Sequence, residues 1–219
     1  MASELGILCD FARGIFYPIP KSQFERKNSN YLVGVLPSDL KKNIAITGFM
    51  AVGKSAVGRK LAKRLKRPFV DLDLAIERRE GKPVAEIFAL KGEAYFRQVE
   101  KETLREVLKL QEQVIATGGG AVMDEENLRL LKSRALLICL TASPERLLKR
   151  SGRKPNRPLL EKPDRLKRIE ELLGRRQQVY REAHISVDTD QLPVPRVVDE
   201  IIKALDQTPA GSEQETAKR

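Results

Sequence analysis

Gly48, Gly53, Lys54 and Ser55 stand in the order G-x-x-x-x-G-K-[ST] within "ITGFMAVGKSAVGRK", residues 46–60. Glycines at this spacing let backbone N–H groups curl around phosphate oxygens, and a helix N-terminus behind them adds positive partial charge. Lys54 would reach the terminal phosphates, and the Ser55 hydroxyl could ligate Mg²⁺. The pattern carries weight only between a strand and a helix. The apolar run "NIAIT" before it and the helical pattern "KSAVGRKLAKRL" after it supply both. An ordinary glycine turn would need neither the lysine nor the serine, so the phosphates of a nucleotide are expected against Ala51, Val52, Gly53, Lys54, Ser55 and Ala56.

Further groups are grouped at the ends of later apolar runs. In "PFVDLD", Asp71 and Asp73 lie two residues apart, which on an extended chain puts both on one side. They would then sit at the carboxyl edge of a parallel sheet, where ligands bind in such folds. One could hold a metal's water shell while the other orients a substrate hydroxyl; solvated loop acids are the alternative. "ATGGGAV" places three glycines, Gly118, Gly119 and Gly120, after another apolar run. Such a run costs conformational entropy, which suggests a close backbone approach to a ligand, with a tight turn as the plainer reading. Arg97 and Arg176 lie near helical apolar faces. Each alone reads as a surface residue, although a carboxylate-bearing substrate would want such bidentate forks. Neither an "NKxD" guanine-reading motif nor an "LSGGQ" signature occurs, and no later strand ends in the apolar-run-then-"DE" pattern of translocating ATPases. A small-molecule kinase is the leading class.

Positioning these residues requires a scaffold. Five strand patterns, "NIAIT", "PFVDLD", "QVIAT", "ALLICL" and "HISVDT", alternate with helical ones, including "EAYFRQVEKETLREVLKL", "PERLLKR" and "PRVVDEIIKAL". That alternation predicts an α/β fold with a parallel sheet covered by helices on both faces. In the long helical pattern, Phe96, Val99, Thr103, Leu104, Val107 and Leu108 make one apolar stripe. "SGRKPNRPLLEKPD", residues 151–164, reads as a loop between helices. Residues 1–42 show no sustained periodicity and are expected to be a loosely ordered extension. Residues 207–219 read as a disordered polar tail.

Composition narrows the classes. The chain has 219 residues, 41% hydrophobic and 32% charged, which suits one globular core. It has no apolar run near the ~20 residues that a membrane-spanning helix needs, and its N-terminus lacks a secretory pattern. Cys9 and Cys139 are the two cysteines; the second, inside "ALLICL", reads as a buried free thiol in a reducing, intracellular compartment. Net charge is +11, a value that first suggests nucleic acid. From Glu145 to Arg181, however, thirteen Lys or Arg face five Asp or Glu, so the excess is local and suits a small phosphorylated ligand equally well. Aromatic residues are 5% with no Trp, a poor supply of base-stacking platforms. His184, the single histidine, is expected to be structural or solvent-facing rather than catalytic.

Taken together, "GFMAVGKSAVGRKLAKRL", "FVDLDLAIE", "AYFRQVE", "VIATGGGAV", "RPLL" and "GRRQQVYREA" resemble shikimate kinases in order and approximate spacing over residues 43–206. The resemblance implies a three-layer P-loop kinase fold: a five-stranded parallel sheet with helices on both faces, a substrate-binding segment and a lid near residues 151–164. It also implies ATP-dependent phosphorylation of the shikimate 3-hydroxyl, in the pathway to chorismate and aromatic amino acids. A cytoplasmic, monomeric enzyme that binds no nucleic acid and no membrane would result. Carried onto matching positions, Asp73, Arg97, Gly118, Gly119, Gly120 and Arg176 would bind shikimate, with Asp73 accepting a hydrogen bond from the attacking hydroxyl. ATP would lie on the phosphate loop, Mg²⁺ would be ligated by Ser55 with Asp71 behind its water shell, Arg157 would reach the ATP phosphates from the lid, and Arg150 would face adenine. Lys54 and Arg157 would join Asp73 as the catalytic groups.

Two positions depart from the family pattern: Ala51 stands where glycine is usual and Ala56 where threonine is frequent. Two other readings compete. A sugar-acid kinase such as a gluconate kinase would share loop and lid but not Arg97 and Arg176. A non-catalytic regulator binding nucleic acid would not need Lys54, Ser55 and Asp73 intact.

Overall fold

The computed structural model describes residues 6–10, 15–19, 42–152 and 164–207. The chain divides into two units, Met1–Val35 and Leu36–Arg219. In the first, strand β1 (Gly6–Asp10) pairs antiparallel with β2 (Ile15–Ile19), Gly6 opposite Ile19 and Asp10 opposite Ile15. Residues 1–42 are expected from sequence to be loosely ordered; this ribbon accounts for 6–10 and 15–19, and residues 1–5, 11–14 and 20–41 lie outside the described residues. Five apolar-rich residues on each side of a short connection suffice for main-chain pairing, and Pro18 is tolerated because each strand of a two-stranded ribbon has an open edge.

The second unit is built on a parallel sheet of order β4-β5-β3-β6-β7. Its strands are β3 (Asn43–Gly48), β4 (Phe69–Asp71), β5 (Val114–Ala116), β6 (Ala135–Thr141) and β7 (Ile185–Asp188). All six residues of β3 are buried, as a central strand covered on both faces must be. Ile44 and Ile46 are among its fully buried side chains, each worth roughly 1.5–3 kcal/mol of burial. Asn43 fixes the strand's start: Nδ2 donates to Leu110 O (2.7 Å), and Oδ1 accepts from Gln113 N (2.9 Å).

Helix α1 (Lys54–Leu65) follows β3 directly and packs on β4, β5 and α7 (Val194–Gln207). Gly58 on α1 lies under the Phe69 ring, so close that a Cβ there would fall 2.5 Å from Cε2. Helices α2 (Leu72–Glu80) and α3 (Val84–Val107) pack against each other, and α4 (Glu125–Arg134) lies on β6. A kink at Gly92 (φ 78°) divides α3. The expected apolar stripe belongs to the part after the kink, where Phe96, Val99, Thr103, Leu104 and Leu108 are buried and Val107 packs beside them. Helices α5 (Pro144–Ser151) and α6 (Arg165–Arg181) also pack together.

The expected loop at 151–164 is narrower at its edges. Ser151 ends α5 and Asp164 caps α6, its carboxylate accepting from Lys167 N; residues 153–163, including Arg157, lie outside the described residues. So do residues 208–219. His184 carries the structural role expected of it. Its main-chain N–H donates to Leu137 O (2.9 Å) and its Nδ1 accepts from Leu137 N (2.9 Å), extending the β6–β7 pairing by one step.

Candidate active site

The sheet register brings the ends of three strands level. Ile46 on β3 pairs with Ala116 on β5, which pairs with Asp71 on β4. The phosphate loop, the glycine triplet and the Asp71–Asp73 pair therefore emerge side by side at the carboxyl edge, where an open α/β sheet binds its ligands.

The loop between β3 and α1 is held in a curl. Gly48 (φ 134°) abuts β6 so tightly that a Cβ would lie 2.3 Å from Leu140 O. Gly53 (φ 110°) is the N-cap of α1 and supplies no side-chain cap, and the first turn holds no acidic residue. Amides at such a helix start are left to a ligand, and an anion suits them. Ala51 adopts φ 66°, a left-handed conformation that an L-residue enters at a cost of roughly 1–2 kcal/mol. Lys54 Nζ reaches back across the loop to Gly48 O (3.0 Å) and Phe49 O (3.1 Å). The neighbouring Cys139 is free and buried, its thiol pushed up to about 11 by desolvation.

Asp71 and Asp73 do not share one extended strand, as the alternation of "PFVDLD" predicted. Asp71 ends β4 and is the N-cap of α2, while Asp73 lies in that helix's first turn. An early helix start thus replaces strand alternation here, and it sets the Asp73 carboxylate against Gly118, where a Cβ would lie 2.9 Å from Oδ1. Burial raises the Asp73 pKa above its ordinary 3.8; Lys54 opposes that shift, while Asp71 and Glu77 add to it. The proposed magnesium site fits what is present. Asp71 makes no capping hydrogen bond, and among the described residues no cluster of three His, Cys, Asp or Glu could hold a metal by itself. A cation kept by one hydroxyl, water and substrate phosphates needs no such cluster.

Each glycine of the triplet makes room for a different partner. A Cβ on Gly118 would lie 2.7 Å from Glu100 Oε1 and 2.9 Å from Asp73 Oδ1; on Gly119, 3.4 Å from Met50 N; on Gly120, 2.9 Å from Arg97 Nη2. None of the three takes a positive φ, so close approach, not turn geometry, favours glycine at 118 and 120, while a Cβ at 119 would make an ordinary contact. From α6, Arg176 Nη1 (2.9 Å) and Tyr180 Oη (3.2 Å) both donate to Gly119 O. The Arg176 guanidinium also lies 5.3 Å from the Phe49 ring centroid. Only 9% exposed, Arg176 makes no ion pair among the described residues. A buried cation without a counter-charge is costly until an anion arrives.

Comparison with known proteins follows the same outline. A family model described as shikimate kinase matches residues 50–206. The chain belongs to the shikimate kinase family. It is 47% identical over 164 residues to the shikimate kinase of Pelotomaculum thermopropionicum, covering 75% of this chain and 95% of that one. The solved shikimate kinase from Acinetobacter baumannii in complex with shikimate superposes with a TM-score of 0.74 and 35% identity, over 78% of this chain and 97% of that one. A gluconokinase from Sinorhizobium meliloti, at 17% identity and a TM-score of 0.50 over 77% and 93% of the two chains, shares the fold alone.

Within this family fold, Lys54, Ser55, Asp71, Asp73, Arg97, Arg176 and the triplet gather at one edge. Arg150 stands apart from that group. Its guanidinium bonds Val52 O (3.1 Å) at the far side of the phosphate loop and Thr189 Oγ1 (2.9 Å) and O (2.6 Å) beyond β7. Sequence reading missed Glu100, which is 1% exposed, pairs through Oε2 with Arg97 Nη1 (2.7 Å) and has no hydrogen-bond partner at Oε1 among the described residues. Desolvation raises its pKa, which Arg97 opposes. Its position three residues after Arg97 on one helix face was the available signal. Tyr180 was quoted within a motif but given no role; its spacing of four from Arg176 carries both donors to one carbonyl.

Proposed function

We propose that residues 43–206 form an ATP-dependent kinase that phosphorylates the 3-hydroxyl of shikimate, acting as a monomer in the cytoplasm on the route to chorismate and aromatic amino acids. The observation that carries this reading is Arg176, a buried cation without an ion-pair partner among the described residues, held against the phosphate loop and the glycine triplet through Phe49 and Gly119. That placement suits an acid whose carboxylate is bound on one side while its hydroxyl faces the nucleotide. Among the described residues, no helix is long and apolar enough to cross a membrane.

In this reading the loop amides and Lys54 receive the ATP phosphates. Ser55 and Asp71 would hold Mg²⁺, which when bound neutralises charge on the phosphate oxygens. Asp73 accepts a hydrogen bond from the attacking hydroxyl and can take its proton. Arg97 and Arg176 bind the carboxylate and fix the ring, a gain in proximity. Arg157, carried over from the family pattern, would add positive charge where negative charge is spread over the phosphoryl oxygens during transfer. Arg150 supports the nucleotide side by holding Val52 in place, with adenine against its guanidinium face.

A coupled assay for ADP release, run side by side with shikimate, gluconate and quinate, tests the assignment. Turnover with shikimate alone is expected. Preferential turnover of gluconate would overturn it in favour of the sugar-acid reading, and no ADP release with any of the three would overturn kinase activity. DNA retention that survives physiological salt would restore the nucleic-acid reading.

A further inference from the structure

Arg97 and Arg176, the two proposed carboxylate ligands, stand in opposite electrostatic situations. Arg176 makes no ion pair among the described residues, whereas Arg97 is engaged on both edges of its guanidinium. One edge is bound by the buried Glu100, Oε2 accepting from Nη1 at 2.7 Å. The other is bound by Glu93, whose Oε1 accepts from Nη2 (3.0 Å) and from Nε (3.3 Å). The Nε–Nη2 edge is one of the faces on which an incoming carboxylate binds through two parallel bonds.

The two glutamates differ in what it takes to remove them. Glu100 is 1% exposed on the helix interior, and moving it would leave a buried charge unpaired. The Glu93 side chain is 66% exposed and begins a new helical segment immediately after the Gly92 kink, so it can swing into solvent at little cost. An exposed pair of this kind is weak.

We propose that Glu93 is an internal occupant of the substrate's carboxylate seat on Arg97, displaced each time the ring acid binds, and that this exchange sets the affinity for the acid. This rests on the reading of Arg97 as a substrate ligand. Glu93 keeps the guanidinium extended and aimed while the seat is otherwise unfilled, and shikimate binding is weakened by the competition.

The test compares Glu93→Gln and Arg97→Ala with the unmodified full chain, measuring KM for shikimate and for ATP, and the shikimate Kd by calorimetry. Glu93→Gln is expected to lower KM and Kd for shikimate roughly two- to threefold, the factor that an exposed i,i+4 ion pair represents, with the ATP KM unmoved. Arg97→Ala is expected to raise the shikimate KM at least tenfold. If Arg97→Ala raises it while Glu93→Gln leaves it unchanged or raises it, the competition is overturned and the site assignment stands. If Arg97→Ala leaves the shikimate KM unchanged, the assignment of Arg97 falls, and the competition falls with it. A matching shift in ATP KM for Glu93→Gln would mark a general disturbance and also overturn the proposal.

Discussion

Asp73 shows how much chemistry one residue can gather and what it costs. Its carboxylate is partly buried beside Asp71 and Glu77, with Lys54 as compensating charge, and its pKa is raised, desolvation being the largest cause. A carboxyl with a raised folded-state pKa binds protons more readily folded than unfolded, so its charged form opposes folding at neutral pH. Asp73→Asn is therefore expected to lower turnover by orders of magnitude while thermal melting stays level or rises by a few degrees. Loss of activity with a lower melting temperature would assign Asp73 to structure instead. In the unmodified chain, activity should fall as pH drops through that raised value, placing the acid limb of kcat/KM above the ordinary carboxylate range. At this scale, spacing made the lysine, the serine and the second aspartate legible. Glu100 was not, because a glutamate on a helix is ordinary in sequence and becomes unusual only once it is buried with one oxygen unpartnered among the described residues.

At the scale of elements, the phosphate loop carries the chain's own signature in Ala51. With φ 66°, this alanine holds a conformation that glycine enters freely, so Ala51→Gly should stabilise the fold by about 0.5–1 kcal/mol in urea denaturation, the relieved strain exceeding the added freedom of the unfolded chain. A destabilised variant would show that the strain is absorbed elsewhere. A second element-level device is the His184 imidazole on the β6–β7 pairing. Desolvation and then Lys132 and Lys42 lower its pKa from 6.5. Its contribution is complete above about pH 6.5 and is lost as pH falls through the lower folded value. His184→Asn should thus be less stable at neutral pH, with the gap in melting temperature closing on acidification; a gap independent of pH would refute the accepting role. The central strands β3, β5 and β6 were readable because burial on both faces leaves continuous apolar runs, and α1 because its buried face, Val57, Gly58, Leu61 and Ala62, recurs at helical spacing. Helices α2 and α4 were not: α2 begins inside an apparent strand at Leu72, and α4 owes its start to Asp124, whose side chain accepts from Glu126 N and Asn127 N, a local cap without a strong apolar period.

Across the whole molecule, the net charge of +11 does not by itself select a polyanion partner over a small phosphorylated ligand. Part of the basic excess is taken up by the site, through Arg150 on the phosphate loop and Arg176 on Gly119. Class and fold were legible because three of the recognisable motifs, the phosphate loop, "FVDLD" and "ATGGG", each follow a strand of the sheet, and the register sets them side by side. The β1–β2 ribbon was not, since two short runs pair without leaving a periodic trace. Cys139, silent in the chemistry, extends the reach of the structure in another direction. It is fully enclosed in β6 next to the central strand, and a thiol near 11 is almost wholly protonated at neutral pH and a poor nucleophile. Alkylation at this sulfur requires that the sheet part, so the rate at which iodoacetamide labels the Cys139 peptide should match global opening measured in urea and slow when nucleotide is added. Labelling as fast as that of a free peptide would mean the strand breathes on its own; otherwise the protein carries, without any added dye, a clock for its own unfolding.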